Sequence, residues 1–500
     1  MSHLFKNENK KYFFIFKIVF CFLIIFLTYC GFNSYEGNKI IYLLFSIISN
    51  YLIYFSFRKN SIFFETFLGL LLWLGFWFKF TCIIAFTDGV FREGVGLFNY
   101  TPESFNETLL VSQIGILSFI LAGYFREIFI FKYPSKLNFF FKTKNFFKKK
   151  RKLIWIIFLI FFTLIAISNF YFKIYQKGLL PIYDFNFVVS GTYKWLLLFG
   201  LTSISAIIIF LEANTFRKFF VFSSLLIFFE TFLSSLSMLS RGMIFNAFAL
   251  FFGIYKFSNK LNIHNKLTYY LKSLSIILVL FYISVVSVNY IRANYFYIGK
   301  SAQFAFKDFK KKIGKEAINE KEVKRKFSNL SEHHSEIFYL SINRWVGIDG
   351  VMSVISKKEI LNKMFLLNSF KERANAIQPT FYELKFDLEI SKNVVQVYES
   401  VKDVKGNTLP GIIAFLFYSG SYYFLFISMF IICIIGSLIE YLAFRLSSNN
   451  LIFSALIGQV ISYRLIHFGY LPHQSYLLFG TIIITIFLVY LTNFFIKKMN

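Results

Sequence analysis

The sequence predicts an all-α polytopic membrane protein with about twelve transmembrane helices and one large extracytoplasmic loop. Three observations predict it. Hydrophobic residues make up 57% of the 500-residue chain, and the mean hydropathy is +0.59, far from a soluble average. The apolar residues fall in runs close to the ~20 that a helix needs to cross a bilayer. Much of the formal charge of +28 sits on short connections between those runs, as the positive-inside rule requires. That distribution accounts for the basic balance without a nucleic-acid partner. The excess in the long loop escapes the rule and favours an anionic partner such as a lipid diphosphate or headgroup. The 74 Phe are read as lipid-facing or packing residues, since an apolar stripe is usually packing.

In chain order, Lys6, Lys10 and Lys11 precede a run over 12–30. It is longer than a signal-peptide core and no small-residue cleavage site follows, so it reads as an uncleaved first helix with a cytoplasmic N-terminus. Further runs cover 40–57, 62–86, 109–131, 153–172, 195–211, 219–239, 243–257 and 273–290. The run over 243–257 is the shortest. After the loop come 421–444, 451–469 and 476–496. With the N-terminus inside, the basic connections Arg58-Lys59, Lys132–Lys152, Arg217-Lys218, Lys256–Lys272 and Arg445 all fall inside, as does the C-terminus.

The chain thus divides into residues 1–290 with nine spans, a partly helical loop over 291–408, and 409–500 with the last three. Within the loop, 307–327 is mixed in charge and compatible with helix. Pro410 suits a helix start and Gly420 a break. Residues 411–419 therefore read as a short helix in or dipping into the outer interface, before the span that begins at Ser421.

Ionisable residues at bilayer depth are functional candidates by default. Arg464 and His467, in Gln459-Val460-Ile461-Ser462-Tyr463-Arg464-Leu465-Ile466-His467, share one helix face in the outer half of their run. His473 follows in Leu471-Pro472-His473-Gln474. An arginine there suits bidentate clamping of a phosphate. The plain alternative is an ion pair with a buried acid, for which mid-span Glu230 is placed. Arg241 occupies the tight outer turn Ser240-Arg241-Gly242, where Gly242 permits unusual backbone, and Arg292 leaves its helix at the same face. Either could equally bind lipid headgroups.

Arg344, Trp345 and Asp349 lie in Asn343-Arg344-Trp345-Val346-Gly347-Ile348-Asp349-Gly350. Asp349 suits a general base or a sugar-hydroxyl ligand and Trp345 a stacking surface; a salt-bridged turn is the structural alternative. His333 and His334 read as solvated. Cys21, Cys30, Cys82 and Cys433 show neither a disulfide framework nor metal spacing, although Cys30 and Cys82 fall near one face. Asn106-Glu107-Thr108 is a chance-level sequon. There is no Walker A loop, dinucleotide fingerprint, HExxH or GxSxG, so no cofactor or metal is called for.

Three features resemble the bacterial O-antigen (oligosaccharide repeat-unit) polymerases of the Wzy type. They are the span ending in Leu236-Ser237-Met238-Leu239-Ser240-Arg241-Gly242, the large late outer loop, and the re-entry Asn407-Thr408-Leu409-Pro410-Gly411-Ile412-Ile413-Ala414 before a span. The resemblance implies a class-C-like glycosyltransferase architecture in the bacterial inner membrane, with the loop periplasmic. It implies transfer of a glycan from undecaprenyl diphosphate to a sugar hydroxyl of another lipid-linked repeat unit, without a metal. Membrane lipid and a chain-length regulator are further partners it suggests. On this reading Arg241, Arg464, His467 and Asp349 are the catalytic candidates, and Arg292, Arg344, Trp345 and His473 bind substrate. An O-antigen ligase shares donor and architecture. A flippase-type transporter is the competing class, disfavoured because the two halves of the chain are unlike.

Overall fold

The computed structural model describes residues 2–87, 89, 91, 95–134, 142–177, 185–215, 220–260, 267–298, 342–372, 380–386, 409–469 and 472–498. Every regular element among them is a helix. In order these are α1 Ser2–Ser34, α2 Lys39–Ser56, α3 Phe63–Trp73, α4 Lys79–Phe86, α5 Pro102–Phe125, α6 Lys142–Phe172, α7 Phe187–Trp195, α8 Leu201–Thr215, α9 Phe220–Ser237, α10 Phe245–Lys260 and α11 Leu267–Ile298. There follow α12 Ile348–Ile355, α13 Lys363–Phe370, α14 Phe381–Lys385, α15 Gly411–Leu416, α16 Tyr422–Leu446, α17 Leu451–Ile466 and α18 Pro472–Lys498. The pairs α3–α4 and α7–α8 are each continuous through a π turn, Leu74–Phe78 and Leu196–Gly200.

Among the described residues nine stretches are long and apolar enough to cross a membrane: Lys17–Ser34, Lys39–Ser56, Phe63–Phe86, Pro102–Ile130, Phe147–Phe172, Phe187–Ala213, Tyr270–Val288, Tyr422–Leu446 and Ser475–Phe495. The chain is therefore a multi-pass membrane protein. The other three runs expected to span are helices too, α9, α10 and α17, but none exceeds 18 residues.

The shortness of α17 has a physical reason. It packs against α10, α3, α16 and α8, and every residue from Leu451 to Ser462 is buried. A helix apolar all round belongs in a core. Small residues let its neighbours approach. A Cβ on Gly253 of α10 would lie 2.9 Å from the Ala455 Cβ, and one on Gly458 would lie 2.7 Å from the Phe64 nitrogen. α17 is thus a buried axle, with Tyr463, Arg464 and His467 at its C-terminal end only partly buried.

Polar contacts between elements gather at two ends of the spans. At one end Arg126 pairs with Glu65 (Nη2–Oε1 2.5 Å) and Arg58 with Glu127 (2.9 Å). There too Arg151 pairs with Glu212 (2.7 Å), and Glu440 accepts from the Phe63 N–H (3.0 Å) and from the Tyr133 hydroxyl. At the other end Asn106 accepts from the Tyr35 hydroxyl and the Asn38 N–H, both at 2.9 Å, which gives that asparagine a structural role. Tyr422 there donates to Glu107 (3.1 Å). The four cysteines, Cys30 and Cys82 included, are free.

Part of the long loop packs between the helices. Residues 342–355 are sunk among the helices, and every residue of α12 is buried. It packs against α5 and α15. Lys79, itself buried, donates to the Asn343 carbonyl (2.5 Å), the Trp345 carbonyl (3.2 Å) and the Asp349 carboxylate. Lys79 stands seven residues before the end of α4, about 10 Å along a helix at 1.5 Å per residue, so the segment packs beside α4 rather than at its tip. The apolar face Ile348, Val351, Met352 and Ile355 makes burial favourable. Lys79 gives the Asn343 and Trp345 carbonyls a buried donor. Close backbone approach does the rest. A Cβ on Gly75 would lie 2.0 Å from the Val346 carbonyl oxygen, and one on Gly350 would lie 2.2 Å from that of Pro410. α15 is a separate short helix, ended by Gly420 at φ 69°, as the sequence led us to expect.

Candidate functional site

The C-terminal end of α17 meets four other segments of the chain. α17 itself supplies Tyr463, Arg464 and His467. The 3-10 turn Arg241–Ile244 follows α9. The stretch after α6 brings Tyr175 and Lys177, and α7 ends with Lys194 beside Trp195. The re-entrant segment contributes Trp345.

The turn that carries Arg241 is tied down from below. Leu239 adopts φ +51°, a strained value for a leucine. The Ser240 N–H donates to the Ser235 carbonyl (2.9 Å) and the Lys177 N–H to the Met238 carbonyl (2.9 Å). The Asn169 amide donates to the Ser237 carbonyl (3.0 Å) and hydroxyl (2.9 Å). Gly242 serves a purpose other than the backbone freedom expected of it. A Cβ there would lie 2.7 Å from the Tyr463 hydroxyl, so glycine makes room for that ring. Tyr463 is thereby held within electrostatic reach of both Arg241 and Arg464.

Two aromatic rings organise the cations. The Lys177 ammonium lies 5.5 Å from the centre of the Tyr463 ring and the Lys194 ammonium 5.3 Å from that of Tyr175, both within cation–π range. Tyr175 is fixed by its N–H to the Asn169 side chain (2.8 Å). Burial raises the Tyr175 phenol above its ordinary pKa and the nearby Arg464 opposes that rise, so the phenol stays protonated at neutral pH. The His467 ring stacks on Tyr463 with centroids 4.1 Å apart. Its Nδ1 lies 2.8 Å from the Tyr463 carbonyl oxygen. A carbonyl only accepts, so Nδ1 carries a proton, and in the neutral ring Nε2 is the nitrogen that keeps its lone pair. Phe245 bridges onward, its ring 6.4 Å from Tyr463 and 6.2 Å from Trp345.

The structure therefore brings together Arg241, Arg464 and His467, which are far apart in sequence. It adds Lys177 and Lys194, which sequence reasoning missed. Both looked like ordinary loop lysines, and only the tyrosines at 175 and 463 could have hinted at them. No carboxylate pairs with Arg464 or Lys194 among the described residues. Glu230 does not serve Arg464 as a partner. It accepts from the hydroxyls of Ser234 (2.8 Å) and Thr202 (3.0 Å). Glutamine keeps one acceptor oxygen for one hydroxyl, and its NH2 donates to the other hydroxyl once that proton rotates away, so Glu230→Gln is expected to fold normally. Glu230→Ala, which strands two buried hydroxyls, is expected to cost about 1–3 kcal/mol, read as a lower melting temperature of the detergent-solubilised protein.

Asp349 is 2% exposed and ion-paired with Lys79, the arrangement of a structural salt bridge. A general base must reach substrate, and this carboxylate is committed elsewhere. Arg344 is exposed. Arg292 stands on α11 and His473 on α18, with side chains outside the described residues; the helical reading of 307–327 and His333 and His334 lie outside them as well. No three His, Cys, Asp or Glu side chains converge as metal ligands among the described residues.

Chemically, the arrangement offers several cations, an imidazole held through Nδ1 and an aromatic wall, in one place at one end of a buried helix. No family model matches the sequence, no curated protein matches it, and no solved structure matches the fold.

Proposed function

We propose that the protein is a metal-independent membrane glycosyltransferase that polymerises lipid-linked oligosaccharide repeat units, as O-antigen polymerases do, with about twelve spans in a class-C-like arrangement. The site faces the periplasm in this reading, and both termini the cytoplasm of a bacterial inner membrane. The observation that carries it is the convergence of Arg241, Arg464, Lys177 and Lys194 around Tyr463 and His467. That environment suits a leaving lipid diphosphate. A hydroxyl of the incoming lipid-linked unit attacks the anomeric carbon of the donor glycan. The new glycosidic bond forms as the bond from that carbon to the diphosphate oxygen breaks. The hydroxyl proton passes to His467 Nε2, and the departing undecaprenyl diphosphate takes the electron pair. Preorganised cations stabilise its developing charge. Trp345 offers a face for a sugar ring.

The surface polysaccharide profile of a deletion strain, resolved on a gel, tests this. The expected result is core carrying a single repeat unit and no ladder, rescued by the wild-type gene but not by Arg241→Ala at a normal protein level. Polymer accumulated on its lipid carrier would make the protein a ligase. A normal ladder would contradict both enzyme readings and favour a transporter.

A further inference from the structure

We infer that Lys79 is a positioning residue: its ammonium holds the re-entrant segment 342–355 so that Trp345 forms the sugar-facing wall of the basic site. The inference rests on the glycosyltransferase reading and adds a residue that the reading does not contain.

Lys79 lies on α4, outside the cation cluster, and is buried. A lysine ammonium has three N–H donors. Three acceptors surround this one, the carbonyls of Asn343 and Trp345 and the carboxylate of Asp349. Two of the three are backbone carbonyls in the approach to α12, and one is that of Trp345 itself. Asp349 balances the charge, but balancing a charge does not require those carbonyls. Donating to them fixes where the chain lies on either side of residue 344. The π turn Leu74–Phe78 immediately precedes Lys79. It contains Gly75, whose missing side chain lets Val346 and Gly347 seat against the helix. Such turns often mark functional sites. From this seat the Trp345 ring reaches Phe245, and Phe245 reaches Tyr463. Lys79 thus acts on the site through Trp345 alone, whereas the arginines and lysines around Tyr463 contact the anion directly.

The two roles separate when sugar and phosphate are offered apart. The probes are the repeat-unit oligosaccharide released from its lipid, and inorganic pyrophosphate. Each is titrated into the full chain in lipid nanodiscs, as wild type, Trp345→Ala, Lys79→Gln, and the double variant Lys79→Met/Asp349→Leu. The double variant guards against misfolding, because exchanging a buried ion pair for apolar residues is often tolerated. It still removes the donors to Asn343 and Trp345. Both lysine variants are expected to weaken oligosaccharide binding about tenfold, as Trp345→Ala does, in the range of a lost aromatic anchor. Pyrophosphate binding should stay within about twofold. Amide hydrogen exchange over 342–355 should rise in the same variants, with α16 unchanged. Lysine variants that bind oligosaccharide like wild type while Trp345→Ala does not would overturn the inference and leave the polymerase reading intact. Folded variants that lose both probes together would also overturn it. A wild type that binds neither probe would sink the polymerase reading and the sugar wall together, and the exchange data would still report the latch.

Discussion

Arg464→Ala is expected to lower polymerisation by about 10²–10³-fold, the cost of removing one preorganised group that stabilises developing charge, while the protein accumulates and melts as wild type does. The two halves of this expectation come from one observation. No carboxylate pairs with Arg464 among the described residues, so among these its removal strands no buried acid. Its neighbours include the rings of Tyr175 and Tyr463 and the cation Lys194, so the fold has little to lose and an anionic transition state much. Arg464→Lys should recover part of the rate, since an ammonium keeps the charge but not the bidentate fork. Rates of repeat-unit addition by membranes carrying equal amounts of each variant provide the check. Wild-type rates in the alanine variant would remove Arg464 from the site.

Glu65→Ala has the opposite signature. Glu65 is 1% exposed and Arg126 is fully buried, joined through Arg126 Nε (2.9 Å) and Nη2. Arg58 adds a second contact at 3.0 Å. Arg126 also donates to the Phe131 carbonyl (3.1 Å) and the Asn60 carbonyl (3.2 Å), stitching α3 to α5. Breaking such a pair from one side leaves an unpaired buried charge and costs about 3–5 kcal/mol. The expected outcome is little folded protein in the membrane. The double variant Glu65→Leu/Arg126→Met should recover most of it, because the desolvation penalty disappears with both charges. Fluorescence-detected size exclusion of the two variants beside wild type reads this directly. A stable, active Glu65→Ala protein would show that water reaches the pair.

The helices were legible because the physics that writes them into the sequence is local. A run of about 20 apolar residues with a basic flank identifies itself, and the positions of α2, α6 and α16 follow at once. α17 was legible as a run but not as the axle, since burial on all sides differs from lipid exposure only through neighbours such as Gly253 and Phe64. Arg241, Arg464 and His467 stood out because charge is rare at that depth. Their proximity to one another depends on which helix ends adjoin. Lys177 and Lys194 were invisible, being cations among many on loops and helix ends. The sequence also offered two readings of Asp349, as a base or as a salt bridge. Only the position of Lys79, 270 residues earlier, shows that the salt bridge forms. The same long-range pairing packs part of the long loop between helices, because a polar stretch can be buried wherever a distant side chain satisfies it.

The central claim is that the cluster around Tyr463 catalyses glycan transfer from a lipid diphosphate. Reconstituting the purified full chain with lipid-linked repeat units as the sole substrate tests it most directly. The account predicts a ladder of lengthened glycans, with one undecaprenyl diphosphate released per unit added, abolished by Arg464→Ala. Lipid-linked units moved across the bilayer with their length unchanged would contradict it.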